Sequence, residues 1–224
     1  LHFDGTSWTV RPAPVGATGN LYGVWASATD NVWVVGDAGL ILHYDGKIWA
    51  TMASPTILRL WAIWGTSGAD IWAVGDSATT TSQGTALHYN GTKWLAVTDS
   101  GLGVGQINSV WAASSDFVYI CGVGGLLARY NGVAWTAIDG GTTVNLHSIW
   151  GTPGGLTSST VFAAGDNGNI FRIRYAVDTQ WAKLQTSGTI NTLFGIYGDG
   201  SQVVYAVGSG GTVVRAEPPF DTFA

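Results

Sequence analysis

The sequence predicts an all-β fold, a five-bladed β-propeller of four-stranded antiparallel blades, and three observations lead there. One unit, LYGVWASATDNVWVVGDAGLILHYDGKIW from Leu21 to Trp49, returns along the whole chain. Its aromatic at Trp25 recurs as Trp64, Trp111, Trp150 and Tyr197, in steps of 39, 47, 39 and 47 residues, the length of a propeller blade. Runs such as Val32-Trp33-Val34-Val35 are apolar on both faces, which suits sheets that neighbouring sheets cover on either side. Finally, HFDGTSW at His2 to Trp8 matches HYDGKIW at His43 to Trp49 position for position, while the last unit, Leu193 to Arg215, has no outermost Trp. The N-terminal strand is therefore expected to complete the last blade. Pairing of residues 1–10 with residues 212–216 would close the ring and leave no open edge.

Each blade follows from local signals. Leu21 to Ser27 and Val32 to Gly36 are aromatic and β-branched runs parted by a polar turn at Ala28 to Asn31, an antiparallel pair. Leu40 to Tyr44 and Lys47 to Met52 form the next two strands, joined by Asp45-Gly46, a dipeptide suited to a type I′ hairpin. The same signal returns as Asp4-Gly5, Asn90-Gly91 and Asn131-Gly132. We letter the strands A to D from the axis outward. The expected blades are 21–54, 60–100, 107–140, 146–188, and 193–217 completed by 1–10, one domain over 1–224. Departures fall in loops: Ala78 to Gln83 lengthens the B–C loop of blade 2, Thr152 to Ser159 the A–B turn of blade 4, and Ala176 to Thr179 replaces its Asx-Gly hairpin.

Composition bounds the function. The chain is 46% hydrophobic and 10% charged, with 33 Gly without collagen-like period, so a large core forms. Its 12 Trp are about four times the usual share. A net charge of −5 with only three Lys excludes the basic clusters that nucleic acid or anionic membranes select. No 18-residue apolar run predicts a membrane span and no signal segment is evident, although Leu1 falls inside a unit, which leaves room for a removed signal or a larger parent. Cys121, the single cysteine, falls between Ile120 and Gly122 in a strand and reads as a small core residue.

Three aromatic columns read as packing between blades: Trp25 and its equivalents, Trp33 with Trp72, Tyr119, Phe162 and Tyr205, and the outer Trp8, Trp49, Trp94, Trp135 and Trp181. A fourth column varies while its neighbours do not: Tyr22, Trp61, Asn108, His147 and Phe194, each following Asn20, Arg59, Gln106, Asn145 or Thr192 by two residues. Packing alone does not ask for such variety. In a propeller the D–A entry and the B–C loop open on one face, so this column is expected beside Asp37, Asp76 and Asp166 and the Ala78 to Gln83 loop. These residues are the candidate ligand-binding set, with Trp61, the one Trp outside the columns, foremost. Asp30, Asp70 and Asp116 precede strand B and read as turn carboxylates. His2, His43 and His88 share one strand C position on separate blades, too far apart for one metal ion, and read as hydrogen-bond partners.

The pattern W-x4-D-x-x-[WY]-x-x-G followed by Y-[DN]-G-x-x-W, best seen at Trp25 to Trp49 and Trp111 to Trp135, resembles propeller repeats of secreted bacterial proteins, including large myxobacterial-type surface proteins. It also resembles tectonin-type lectin propellers. The Asx-Gly-x-x-Trp end is similar to the tail of the Asp-box, but Ile41 and Leu127 stand where the opening Ser of that motif belongs. The lectin resemblance implies several weak carbohydrate sites on a secreted or cell-surface protein.

No enzyme is expected. Glu217 is the single Glu, no acid/base pair for glycoside hydrolysis is evident, and no nucleophile elbow, H-E-x-x-H or phosphate loop occurs. No cofactor is expected; the incomplete set Asp37, Asp76 and Asp166, with Val123 and Ser209 in the other units, argues against a metal ring. The expected function is a monomeric, non-catalytic module binding carbohydrate or glycoconjugate. The alternatives are a protein-interaction or structural repeat of a larger surface protein, or a chain built or trimmed for studies of propeller assembly.

Overall fold

A computed structural model describes residues 2–10, 14, 17–152, 160–174, 182–186, 189–198, 203–217 and 222–223. A hairpin of β1 (His2–Phe3) and β2 (Trp8–Thr9) comes first. Blade 1 comprises β3 (Leu21–Ala28), β4 (Asn31–Gly36), β5 (Ile41–Tyr44) and β6 (Trp49–Thr51). Blade 2 comprises β7 (Leu60–Ser67), β8 (Asp70–Ser77), β9 (Gly84–Tyr89) and β10 (Trp94–Ala96), and blade 3 β11 (Ile107–Ser114), β12 (Phe117–Gly122), β13 (Leu127–Tyr130) and β14 (Trp135–Ala137). Blade 4 holds β15 (Leu146–Gly151), β16 (Thr160–Gly165), β17 (Ile170–Arg174) and β18 (Ala182–Thr186). Blade 5 holds β19 (Leu193–Gly198), β20 (Val204–Gly208) and β21 (Val213–Ala216); β22 (Thr222–Phe223) ends the chain. Every blade is an antiparallel meander in chain order.

The two inner aromatic columns are cross-strand pairs on strands A and B: Trp25 opposite Trp33, Trp64 opposite Trp72, Trp111 opposite Tyr119, Trp150 opposite Phe162 and Tyr197 opposite Tyr205. In blades 1 to 4 the centre of strand B is buried on both faces, and in blades 1 and 2 its aromatic reaches the outer strands of the next blade. Trp33 lies 4.8 Å from Tyr89 and 5.7 Å from Trp94; Trp72 lies 5.3 Å from Tyr130 and 5.4 Å from Trp135. Strand A repeats the device with small partners. Cβ atoms at Gly65, Gly151 and Gly198 would meet the rings of Trp25, Trp111 and Trp150 at 2.7, 2.6 and 2.2 Å. Hydrogen bonds stitch the same seams, from the Ile149 and Ile196 amides to Ser109 and Ser148 Oγ, both 3.1 Å, and from Trp64 Nε1 to the Ala112 carbonyl at 2.9 Å. Cys121 is fully buried in this core, which pushes its thiol pKa up.

Several expectations are corrected. Among the described residues the predicted closing pair is not made: β1 bonds to β2, and β21 to β20. The reason is that residues 2–9 are already a C–D hairpin, with Phe3 opposite Trp8 as Tyr44 is opposite Trp49, and blade 5 has a strand C of its own. The C-terminal β22 instead runs parallel to β18 of blade 4. Trp8 is therefore largely exposed, whereas Trp94 and Trp135 of the same column are buried. The Asx-Gly turns are not type I′, since only their glycines (φ 87–96°) take positive φ; the Asx side chain instead accepts from the amides two and three residues on, as Asp45 does from Lys47 and Ile48 at 2.9 Å. Trp181, most of Thr152 to Ser159 and Ala176 to Thr179 lie outside the described residues.

Candidate functional site

Where strand A begins, the carbonyl two residues before the variable column meets the glycine that ends strand B. The tight turn that follows carries Asp37 in blade 1 and Asp166 in blade 4. Because this turn is short, its carboxylate is turned back onto strand A of its own blade and onto the entry to the next. Asp37 accepts from the Asn20 amide (2.9 Å), Asn20 Nδ2 (3.0 Å) and the Tyr22 hydroxyl (3.2 Å), and forms an ion pair with Arg59 Nε of blade 2 at 2.7 Å. Asp166 repeats the pattern with Asn145 Nδ2 (3.1 Å), His147 Nε2 (2.8 Å) and, from blade 5, the Thr192 hydroxyl (3.3 Å). Asp76 follows the same logic within blade 2, where Trp61 Nε1 donates to it at 2.6 Å.

The variable column is thereby drawn into one arc across the blades. Tyr22 and Trp61 have ring centroids 4.6 Å apart with planes tilted by 53°, and the Arg59 guanidinium lies over both, 5.3 Å from the Tyr22 centroid and 4.8 Å from that of Trp61. Asn108 Nδ2 donates to the Leu146 carbonyl at 2.7 Å, which carries the arc from blade 3 to blade 4. His147 then meets the exposed Phe194 ring at 5.5 Å. The Ala78 to Gln83 loop meets the entry to blade 3, just before Gln106: Gln83 Nε2 donates to the Asp99 carbonyl, the Gly105 amide donates to Ser82 O at 2.9 Å, and the segment bridges to Val104.

The electrostatics are those of paired carboxylates. The Asn20 amide and the Arg59 guanidinium hold Asp37 below the usual carboxylate range, and Asp37 in turn raises Arg59. Asp166 is lowered first by the His147 hydrogen bond. Asp70, read from the sequence as a turn carboxylate, sits one residue nearer strand B than Asp30 or Asp116 do, and pairs with His88 Nε2 at 2.7 Å, which lowers it too. In blade 1 Asn31 fills that place, accepting from Trp33 Nε1 (2.9 Å) and facing His43 Nε2 (2.7 Å). Each of these carboxylates has a folded pKa below its ordinary 3.8, so its stabilisation is present above that value and is lost as pH falls below it. The thermal midpoint is therefore expected to hold through mildly acidic pH and to drop below about pH 4, less steeply in Asp166→Asn. An Asp166→Asn profile superimposable on wild type would refute the assignment.

Among the described residues no group of three or more His, Cys, Asp or Glu side chains is placed to hold a metal ion, and no helix is long and apolar enough to cross a membrane. The arc offers aromatic faces, one guanidinium, an imidazole and carboxylates whose lone pairs are partly taken up. The sequence had singled out this column by its variety, but the Asx to next-blade pairing, Arg59 to Asp37 above all, is a contact between units that one unit does not disclose.

No protein family and no curated protein matches the sequence. Solved structures do. YCF48 bound to D1 peptide superposes with a TM-score of 0.71 at 16% identity, over 99% of this chain and 70% of that one. YCF48 from Cyanidioschyzon merolae superposes with a TM-score of 0.66 at 18% identity, over 92% of this chain and 69% of that one. At such identities the likeness is one of fold: the chain is an all-β, propeller-like array of antiparallel sheets.

Proposed function

We propose that this chain is a non-catalytic binding module whose rim arc, from Tyr22 through Trp61 and Asn108 to His147 and Phe194, takes an extended peptide segment of a protein partner. The observation that carries the reading is the continuity of the arc. Side chains of unlike chemistry follow one another over all five blades, a track suited to a chain whose successive residues differ. Arg59 and Trp61 are its centre, since a guanidinium packed on two rings presents a preorganised donor set to a backbone carbonyl or carboxylate. One of the superposing proteins is itself described with a bound peptide, which supports the class of ligand.

The glycan reading fits less well. Sugars stack on open aromatic faces, and the Trp61 face under Arg59 is already covered. The test is a paired screen of wild type and Trp61→Ala on immobilised overlapping peptides and on a glycan array. Peptides retained by wild type and weakened about tenfold or more in Trp61→Ala, the usual size of an aromatic hot spot, support the proposal. Glycan retention without any peptide retention overturns it, as does turnover of a bound substrate.

A further inference from the structure

The seam between successive blades repeats so closely that both of its halves can be recognised where they lack a partner. At the end of strand B and the start of strand C, the pairs Val35 and Ile41, Val74 and Ala86, Cys121 and Leu127, Ala164 and Ile170 are all buried against the following blade. Their counterparts in blade 5, Val207 and Val213, are 48% and 63% exposed. Tyr205 and Tyr197, which stand where Trp33, Trp72, Tyr119 and Phe162 or Trp111 and Trp150 are buried, are 41% and 61% exposed.

Blade 1 shows the opposite half. Leu60, Ile107, Leu146 and Leu193 are sealed against the preceding blade, but Leu21 is 49% exposed; Ile63, Val110, Ile149 and Ile196 are sealed, but Val24 is 69% exposed. Tyr44 and Trp49 stand 5.3 Å apart, the arrangement in which Tyr89 and Trp94 (5.4 Å) receive Trp33 and in which Tyr130 and Trp135 (5.4 Å) receive Trp72. Around this vacant receptor lies a groove of about 730 Å³ lined by Leu21, Val24, Tyr44, Ile48 and Trp49, with His2 at one rim. The two faces do not meet within the chain, since residues in mutual contact could not remain so exposed.

We propose that the outer face of blade 5 docks on the outer face of blade 1 of a second copy of this chain, a head-to-tail contact that continues the interblade seam. Tyr205 enters between Tyr44 and Trp49 of the second copy, and Val207 and Val213 cover Leu21 and Val24. The occupant is a copy of this chain because four internal seams already display the matching apolar partners in the matching order, two of them with the aromatic receptor as well, and each copy carries both halves. Such an interface is heterologous, so it propagates into rings or open chains rather than stopping at a two-fold dimer. This replaces the monomer expected from the sequence; Tyr22 of the rim arc also lines the groove, but assembly and peptide retention are read by separate measurements.

The test uses sedimentation velocity on wild type, Val24→Arg and Val207→Arg across a concentration series, with far-UV circular dichroism as a check on folding. Both positions are solvent-exposed, so both variants are expected to fold. Wild type is expected to form concentration-dependent assemblies, each variant alone to be monomeric, and an equimolar mixture to form a dimer that grows no further, since Val24→Arg retains an intact blade 5 face and Val207→Arg an intact blade 1 face. A wild type monomeric throughout overturns the proposal. So do variants that assemble alone as wild type does, or a mixture that stays monomeric while wild type assembles.

Discussion

Gly75→Ala is expected to be among the most damaging single-atom additions in the chain. A Cβ at Gly75 would sit 1.9 Å from the Arg59 carbonyl oxygen and 2.9 Å from both the Arg59 carbonyl carbon and Leu60 Cα, all backbone atoms that no rotamer change can move aside. The same approach occurs at every strand B end: 2.2 Å to Asn20 O from Gly36, 2.1 Å to Gln106 O from Gly122, 2.1 Å to Asn145 O from Gly165 and 2.2 Å to Thr192 O from Gly208. The closeness has a cause, because the amide of the next residue bonds that same carbonyl, as Asp76 N does Arg59 O at 2.9 Å. Relieving the clash would break this bond and shift the rim carboxylate with it. A loss of about 3 kcal/mol or more is expected, the upper end for overpacking. For a chain of this length that is a fall of roughly 6–12 °C in thermal midpoint, read by calorimetry. Gly124→Ala is the control. Nothing lies within 4 Å of its Cβ, and Ala38 adopts the equivalent positive φ (54°) in blade 1, so a cost of about 1 kcal/mol is expected from backbone preference alone. Equal losses at the two positions would refute the steric account.

Trp72→Ala and Trp61→Ala should separate scaffold from site. Trp72 is fully buried, stacked on His88 at 4.4 Å and set edge-on to Trp135 of blade 3. Its truncation leaves a cavity between two blades, and a loss of about 3–5 kcal/mol is expected by denaturant unfolding. Trp61 is only half-buried and held by Asp76 and Arg59 at the rim. Removing it is expected to cost about 1 kcal/mol, comparable to one hydrogen bond, while it weakens peptide retention. If Trp61→Ala proved as destabilising as Trp72→Ala, the residue would belong to the packing and the arc would lose its centre.

Much of this was legible because a propeller blade is a local object. Strand limits, the A–B and C–D hairpins and the two inner aromatic columns depend on residues within one unit, and the column positions are the cross-strand partners found, Trp25 with Trp33 and Trp64 with Trp72. The variable column could be placed on one face for the same reason. The turn type at Asp45-Gly46 was misjudged because the Asx side chain replaces a backbone bond, a choice the dipeptide alone does not reveal. The exposure of Trp8 was missed because HFDGTSW is a faithful copy whose neighbour is absent.

The sequence by itself therefore determined the unit, its strand order, its aromatic columns and the glycine that ends strand B, since all of these are set by the repeat, by apolar runs within each unit and by short-range sterics. The tertiary structure alone decided which unit touches which. That concerns the Asp37 to Arg59 and Asp166 to Thr192 pairings, the hairpin of residues 2–9 that pairs with itself, and the two apolar end faces left uncovered. The physical reason is that a repeat offers the same surface at every position, so its sequence specifies a contact but not whether a partner stands there to make it.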